Sequence, residues 1–210
     1  MKFIAFYQAF RDQTIFSTQA IESVFPGYDR KILVNWQAKG HLLKVRNNWY
    51  ALTDRSFGQD DLYLIANKIY SPSYISLQSA LSHYGLIPEG VFRITSVSTL
   101  KTAEFETPLG YFSYRTIKPD YFFGYRLIRQ QGGHLAAWYK IATPEKAILD
   151  HLYFHPQYCD ESDFEGLRLN WEVFRERVSL SALTDYLAYV DSPALTLRLN
   201  KLLNVYHAHS

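Results

Sequence analysis

Residues 14–53 read TIFSTQAIESVFPGYDRKILVNWQAKGHLLKVRNNWYALT, and the order of signals in this stretch decides the fold of the amino-terminal part. Ser17 is a favourable helix cap and Phe16 ahead of it can staple onto Ile21. A helix is therefore predicted over 17–25, with Ile21, Val24 and Phe25 inward. Phe25-Pro26-Gly27-Tyr28 makes a tight turn. A second helix is predicted over 29–39, ending at Gly40, with Leu33 and Trp36 facing the core beside Ile32. That phase turns Arg30, Lys31, Val34, Asn35 and Ala38 outward, with Lys39 at the end. Two strands, 42–46 and 49–53, then flank Asn47-Asn48, which tolerates the positive φ of a tight hairpin. Leu43 and Val45 are expected inward, Lys44 and Arg46 outward, and in the second strand Trp49 and Ala51 alternate with Tyr50 and Leu52. An apolar helix over 2–10 precedes the unit. Together these elements have the order of a winged helix-turn-helix, which makes duplex DNA the first partner to consider.

Charge follows the same division. Residues 1–55 hold eight basic side chains against four acidic ones, a local net of +4, whereas the whole chain carries only +2. A basic head on a near-neutral body fits a module that touches phosphate, joined to one that does something else. Phosphate contact needs long cations on one rigid face, and base readout needs amides or guanidinium groups on a helix that enters the major groove. The expected DNA-contacting set is Ser17, Thr18, Arg30, Lys31, Asn35, Lys39, Lys44, Arg46 and Asn47, with the last hairpin residues on the backbone or in the minor groove. The alternative is a solvated helix in a winged-helix domain that serves only protein interaction.

At 210 residues, 48% hydrophobic and 20% charged, the chain can form one domain or two modest ones. The predicted division is 1–56 for the winged helix and 57–210 for an α+β body, with the boundary within 54–72. A linker helix is expected over 60–70, broken by Ser71-Pro72-Ser73. Ser76 is expected to cap a helix whose stripe is Leu77, Ala80, Leu81 and Tyr84, stopped by Gly85. Strand 91–98 follows, then hairpins 103–107/111–116 around Pro108-Leu109-Gly110 and 121–129/135–141 around Gly132-Gly133. Thr143-Pro144-Glu145 starts a helix: a cap, a proline in the first turn and an acid that complements the dipole. The tail over 170–207 is expected to be helical, in three pieces broken near Leu180 and at Pro193. The fold class is thus α+β, a winged helix-turn-helix followed by a mixed domain with a helical tail.

Catalytic and metal-binding patterns are weak. His151 and His155 lie four apart beside Asp150, yet Pro156 follows at once, so a surface pair is expected rather than a metal site. A nucleic-acid-processing enzyme using Asp150, His151 and His155 is the enzymatic alternative. Cys159 is the only cysteine, in an acidic setting that disfavours the thiolate a nucleophile needs. No G-x-S-x-G and no P-loop occur. The expectation is a binding protein with no enzyme activity, cofactor or metal. The segment MKFIAFY is interrupted at Gln8, Arg11 and Asp12, too soon for a signal-peptide core, and no run is long and apolar enough to span a membrane. A cytoplasmic location is expected.

Three segments of the body carry a family resemblance. They are Ser71-Pro72-Ser73-Tyr74-Ile75-Ser76-Leu77-Gln78-Ser79-Ala80-Leu81 with Tyr84-Gly85-Leu86-Ile87-Pro88; Phe105-Glu106-Thr107-Pro108-Leu109-Gly110 running into Phe112-Ser113-Tyr114-Arg115; and Ala142-Thr143-Pro144-Glu145-Lys146-Ala147-Ile148-Leu149-Asp150 with Leu152-Tyr153. In this order behind such a head, over about residues 5–155, they resemble the AbiEi family of antitoxins and transcriptional regulators. The resemblance implies a bifunctional protein of a type IV toxin-antitoxin system. Its head would bind inverted repeats in its own promoter and repress it. Its body would counter a neighbouring nucleotidyltransferase-like toxin without a stable complex. Some members act as plain regulators, and a protein-interaction adaptor built on the Tyr-rich body is the rival from another class.

Overall fold

The aromatic spacing of the first segment sets the head. In the computed structural model, which describes residues 1–90, 92–131, 136–158 and 160–209, α1 (Phe3–Phe10) buries Phe6 and Phe10, one turn apart. Their rings stack around Phe16 and Trp36, with Phe6 4.8 Å from Trp36 and Phe10 4.6 Å from Phe16 between centroids. Phe16 lies in a two-residue strand, β1 (Phe16–Ser17). The Ser17 hydroxyl then caps α2 (Thr18–Val24), accepting the Ala20 amide at 3.1 Å. Gly27, at φ +71, reverses the chain and donates its amide to the Glu22 carboxylate. α3 (Lys31–Ala38) buries Leu33 and Trp36 as its periodicity requires, and the strands β2 (Leu42–Arg46) and β3 (Trp49–Leu52) close a three-stranded antiparallel sheet in the order β1-β3-β2.

One inward position, and the alternation of the hairpin, differ from expectation. Val24 is half-exposed, because α2 ends at this residue and Phe25 alone turns back. In β2 the register shifts between Lys44 and Arg46, and the hairpin is apolar on both faces. Leu42, Tyr50 and Leu52 join the core of the head, whereas Val45 and Ala51, with Ile15, join the core of the body. Strict alternation between core and water does not apply to a sheet sandwiched in this way.

The body is mixed α+β. A six-stranded sheet has the order β6-β7-β5-β4-β9-β8, from β4 (Ser73–Ile75), β5 (Arg93–Ser98), β6 (Ala103–Thr107), β7 (Gly110–Thr116), β8 (Tyr125–Arg129) and β9 (Trp138–Ala142). The pairs β4/β9 and β5/β7 are parallel and the others antiparallel. The expected turn at Gly132-Gly133 lies outside the described residues. The expected linker helix is α4 (Gln59–Ile69), and it is no tether: Tyr63, Leu64, Ile65, Ala66 and Ile69 are all buried. A buried polar junction holds it, with Gln130 donating to Thr14 (2.7 Å) and to Asp61, and Arg55 pairing with Asp61 at 3.2 Å.

α5 (Leu77–His83) and α6 (Pro144–Phe154) pack on each other. Thr143 caps α6 with Pro144 in its first turn, and every residue from Pro144 to Leu152 is buried. Glu145 exceeds its expected dipole role: its carboxylate accepts the Ser179 amide at 2.9 Å and fixes the start of the tail. The tail forms α8 (Trp171–Arg177), α9 (Leu180–Val190) and α10 (Pro193–Ala208). It is preceded by a short α7 (Glu161–Gly166) that periodicity did not reveal. Among the described residues no helix is long and apolar enough to cross a membrane.

Candidate nucleic-acid interface

α3 is anchored by two large side chains on one side, which fixes what its other side presents. Arg30, Lys31, Val34, Asn35, Ala38 and Lys39 are exposed, Val34 to 65%. Asp29 accepts the Lys31 amide at 2.9 Å and so orders the start of the helix. Among the described residues Arg30, Lys31, Lys39 and Lys44 form no ion pair. Cations, one amide and an exposed apolar side chain therefore share one open surface, the combination that phosphate contact, base-edge hydrogen bonding and thymine-methyl contact use.

The remaining expected residues divide. Ser17 caps α2, and the Thr18 amide donates to the Asn48 carbonyl at 2.9 Å, which ties the hairpin turn to the start of that helix. Both residues are half-buried and act in the scaffold. Lys44 is exposed within β2 opposite Tyr50, and Asn47 is exposed at the hairpin turn.

Arg46 is the correction. Expected outward, it lies against the body with its guanidinium 3.7 Å from the Phe105 ring centroid and 5.3 Å from that of Tyr70, and it donates to the Ile69 carbonyl. The register shift in β2 is what carries it to the body side. The tip thus borders a groove of about 470 Å³ whose far wall holds Glu104 and Glu106. Replacing Arg46 with Ala is expected to lower stability by about 1–3 kcal/mol, because it removes a cation–π contact and a charge-assisted hydrogen bond. It should leave the salt dependence of any DNA binding unchanged. Urea denaturation and a salt titration check the two halves, and a slope change as large as that of Lys44→Ala would place Arg46 on DNA after all.

A second polar constellation lies in the body, and it unites two of the three family-like segments. Asp150 is fully buried and accepts from Tyr74 (2.9 Å), Ser76 (2.7 Å) and Lys146. Lys146 is buried as well, with its ammonium over the rings of Phe123 (5.1 Å) and Tyr74 (5.5 Å). Gly124, at φ +70, makes this possible: a Cβ there would meet the Lys146 stem at 2.9 Å. Burial, reinforced by the Asp150 charge, pushes the Tyr74 phenol well above its ordinary value, so it stays protonated and donates. Ser76 therefore does not cap α5 with its side chain. Thr95 takes that place by accepting the Ser79 amide at 3.0 Å, while the Ser76 hydroxyl turns to the buried carboxylate. No substrate-sized opening is needed to explain the cluster; it is a closed ion pair with its acceptors filled.

The surface reading of the histidine pair is also overturned. His151 is 2% exposed and stacks on half-buried His155 at 4.3 Å between centroids. His155 Nδ1 lies 2.9 Å from the His151 carbonyl, a contact that requires Nδ1 to carry the proton. Neither ring nitrogen of His151 has a hydrogen-bond partner among the described residues. Burial, with a smaller push from His155, lowers its pKa to about 3. The helix carries the pair inward because α6 runs through the middle of the body. Among the described residues no three His, Cys, Asp or Glu side chains are grouped to hold a metal ion. Cys159, weighed above as a nucleophile, lies outside the described residues.

A scan of the chain against protein-family models finds no match, and neither does a search of curated protein sequences.

Proposed function

We propose that residues 1–56 form a winged helix that places α3 in the major groove of duplex DNA, and that the protein represses a promoter, its own by the family resemblance, through occupancy. One observation carries this reading: Arg30, Lys31 and Lys39 are exposed with Asn35 on the side of α3 away from Leu33 and Trp36, and among the described residues none of the three cations has an ion-pair partner. The sheet order β1-β3-β2, with α1 to α3 interleaved before the hairpin, supports the winged-helix part. Repression by binding needs no cofactor. By the same resemblance, the body opposes a nucleotidyltransferase-like toxin, and for that half the support is the motif order alone.

Salt-titrated anisotropy on the duplex upstream of the gene tests the proposal. Four phosphate contacts per head give a slope of about −3 to −4 in log affinity against log salt. The Arg30→Ala/Lys31→Ala double variant is expected to flatten it by about two units and to lower affinity for specific and unrelated duplexes alike. An adaptor without DNA function predicts no salt-sensitive binding for either protein. In cells carrying the neighbouring toxin gene, the same variant should lose repression yet still restore growth, since the substitutions do not touch the body.

A further inference from the structure

A cavity of about 550 Å³ opens between the start of α5, the end of α6 and the strands β5 and β7. This volume is ordinary for a small-molecule site. Its lining includes Gln78, Thr95, Ser113, His151 and His155. A neutral imidazole offers one donor and one acceptor, and both nitrogens of His151 are without partners among the described residues. Leaving such a group buried and unsatisfied is unfavourable, and unlike Asn67, Ser73 and Ser96, which also keep an unpartnered side-chain atom in the body, His151 lines the cavity. The rings of His155 and Tyr158, 6.1 Å apart, supply an aromatic wall. Two arginines and two carboxylates also line it: Arg93 is held by Glu104 at 2.8 Å and Glu89 pairs with Arg168 at 3.4 Å, whereas exposed Arg115 has no ion-pair partner among the described residues.

We propose that this cavity binds a small planar heteroaromatic molecule bearing one anionic group, its ring beside His155 and Tyr158, its ring-edge donor and acceptor matched by His151 and Gln78, and its anion at Arg115. The chemistry is shared by mononucleotides and by heteroaromatic carboxylates. Binding here does not depend on the DNA reading, and it is measured without DNA.

Isothermal titration of the full chain at pH 7.5 tests it, with AMP, GMP, CMP and UMP in one arm and nicotinate and indole-3-carboxylate in the other. At least one probe should saturate with a Kd below about 1 mM, and the arm in which it falls identifies the source. Arg115→Ala and His151→Phe should each weaken that probe by about tenfold or more. His151→Phe keeps an aromatic filler and removes only the polar nitrogens; if it fails to fold, Gln78→Leu replaces it with the same expectation. No saturable probe below about 1 mM, or an affinity unchanged in either variant, overturns the assignment.

Discussion

Replacing Asp150 with Ala should destabilise the protein by about 3–5 kcal/mol, the largest single effect expected in this molecule. The substitution leaves the Lys146 ammonium buried with no counter-ion and strips the acceptor from two hydroxyls, those of Tyr74 and Ser76. Against a total stability of about 5–15 kcal/mol for an ordinary domain, such a loss threatens folding at 37 °C. Lys146→Met is expected to cost less, because Asp150 keeps two hydroxyl donors. Adding Lys146→Met to the Asp150→Ala background should recover part of the loss by removing the orphaned charge. Urea midpoints for the three variants decide the matter, and a cost below about 1 kcal/mol for Asp150→Ala would show that the pair is far more hydrated than its burial implies.

His151 makes the fold sensitive to acid in a calculable way. Its pKa is about 3 in the folded protein and about 6.5 when unfolded, so between those values the unfolded chain holds one more proton. Protons then favour unfolding: the neutral imidazole does not weaken the fold above pH 6.5, and stability falls by about 1.4 kcal/mol per pH unit from there down to pH 3. From pH 7.5 to 5.0 the loss attributable to this group is about 2 kcal/mol. The difference between wild type and His151→Phe isolates it from the carboxylates, which titrate in both proteins. The variant should be at least as stable at pH 7.5, since it removes two unpaired buried nitrogens, and its advantage should widen as the pH drops. Parallel denaturation curves for the two proteins across this range would mean that water reaches the ring and satisfies it.

Local chemistry made much of the fold legible. The Ser17 cap, the turn glycines Gly27 and Gly40, the Leu33–Trp36 spacing and the Thr143-Pro144 start all act within a few residues, and each forms the element it signals. What stayed hidden depends on partners distant in sequence. A serine ahead of a helix reads as a cap, and nothing local reveals that Ser76 has a competing acceptor in Asp150, 74 residues on. A cation in an alternating strand reads as solvated, and nothing local reveals the register shift in β2 that sets Arg46 against Phe105 and the Ile69 carbonyl. His151 before a helix-ending proline reads as surface until α6 is seen to be enclosed along its length. The open face of α3 could be read in advance because its phase is set by two bulky neighbours on the same helix.

The hairpin that contributes Leu42 and Leu52 to one core and Val45 and Ala51 to the other has a mechanical consequence. Parting head from body would wet Ile15, Val45 and Ala51, which belong to the core of the body, so the division near residue 56 is a boundary of sequence and not of cooperativity. If α3 binds a duplex as proposed, a torque on it would pass through the hairpin into the body, as it could not through a flexible tether.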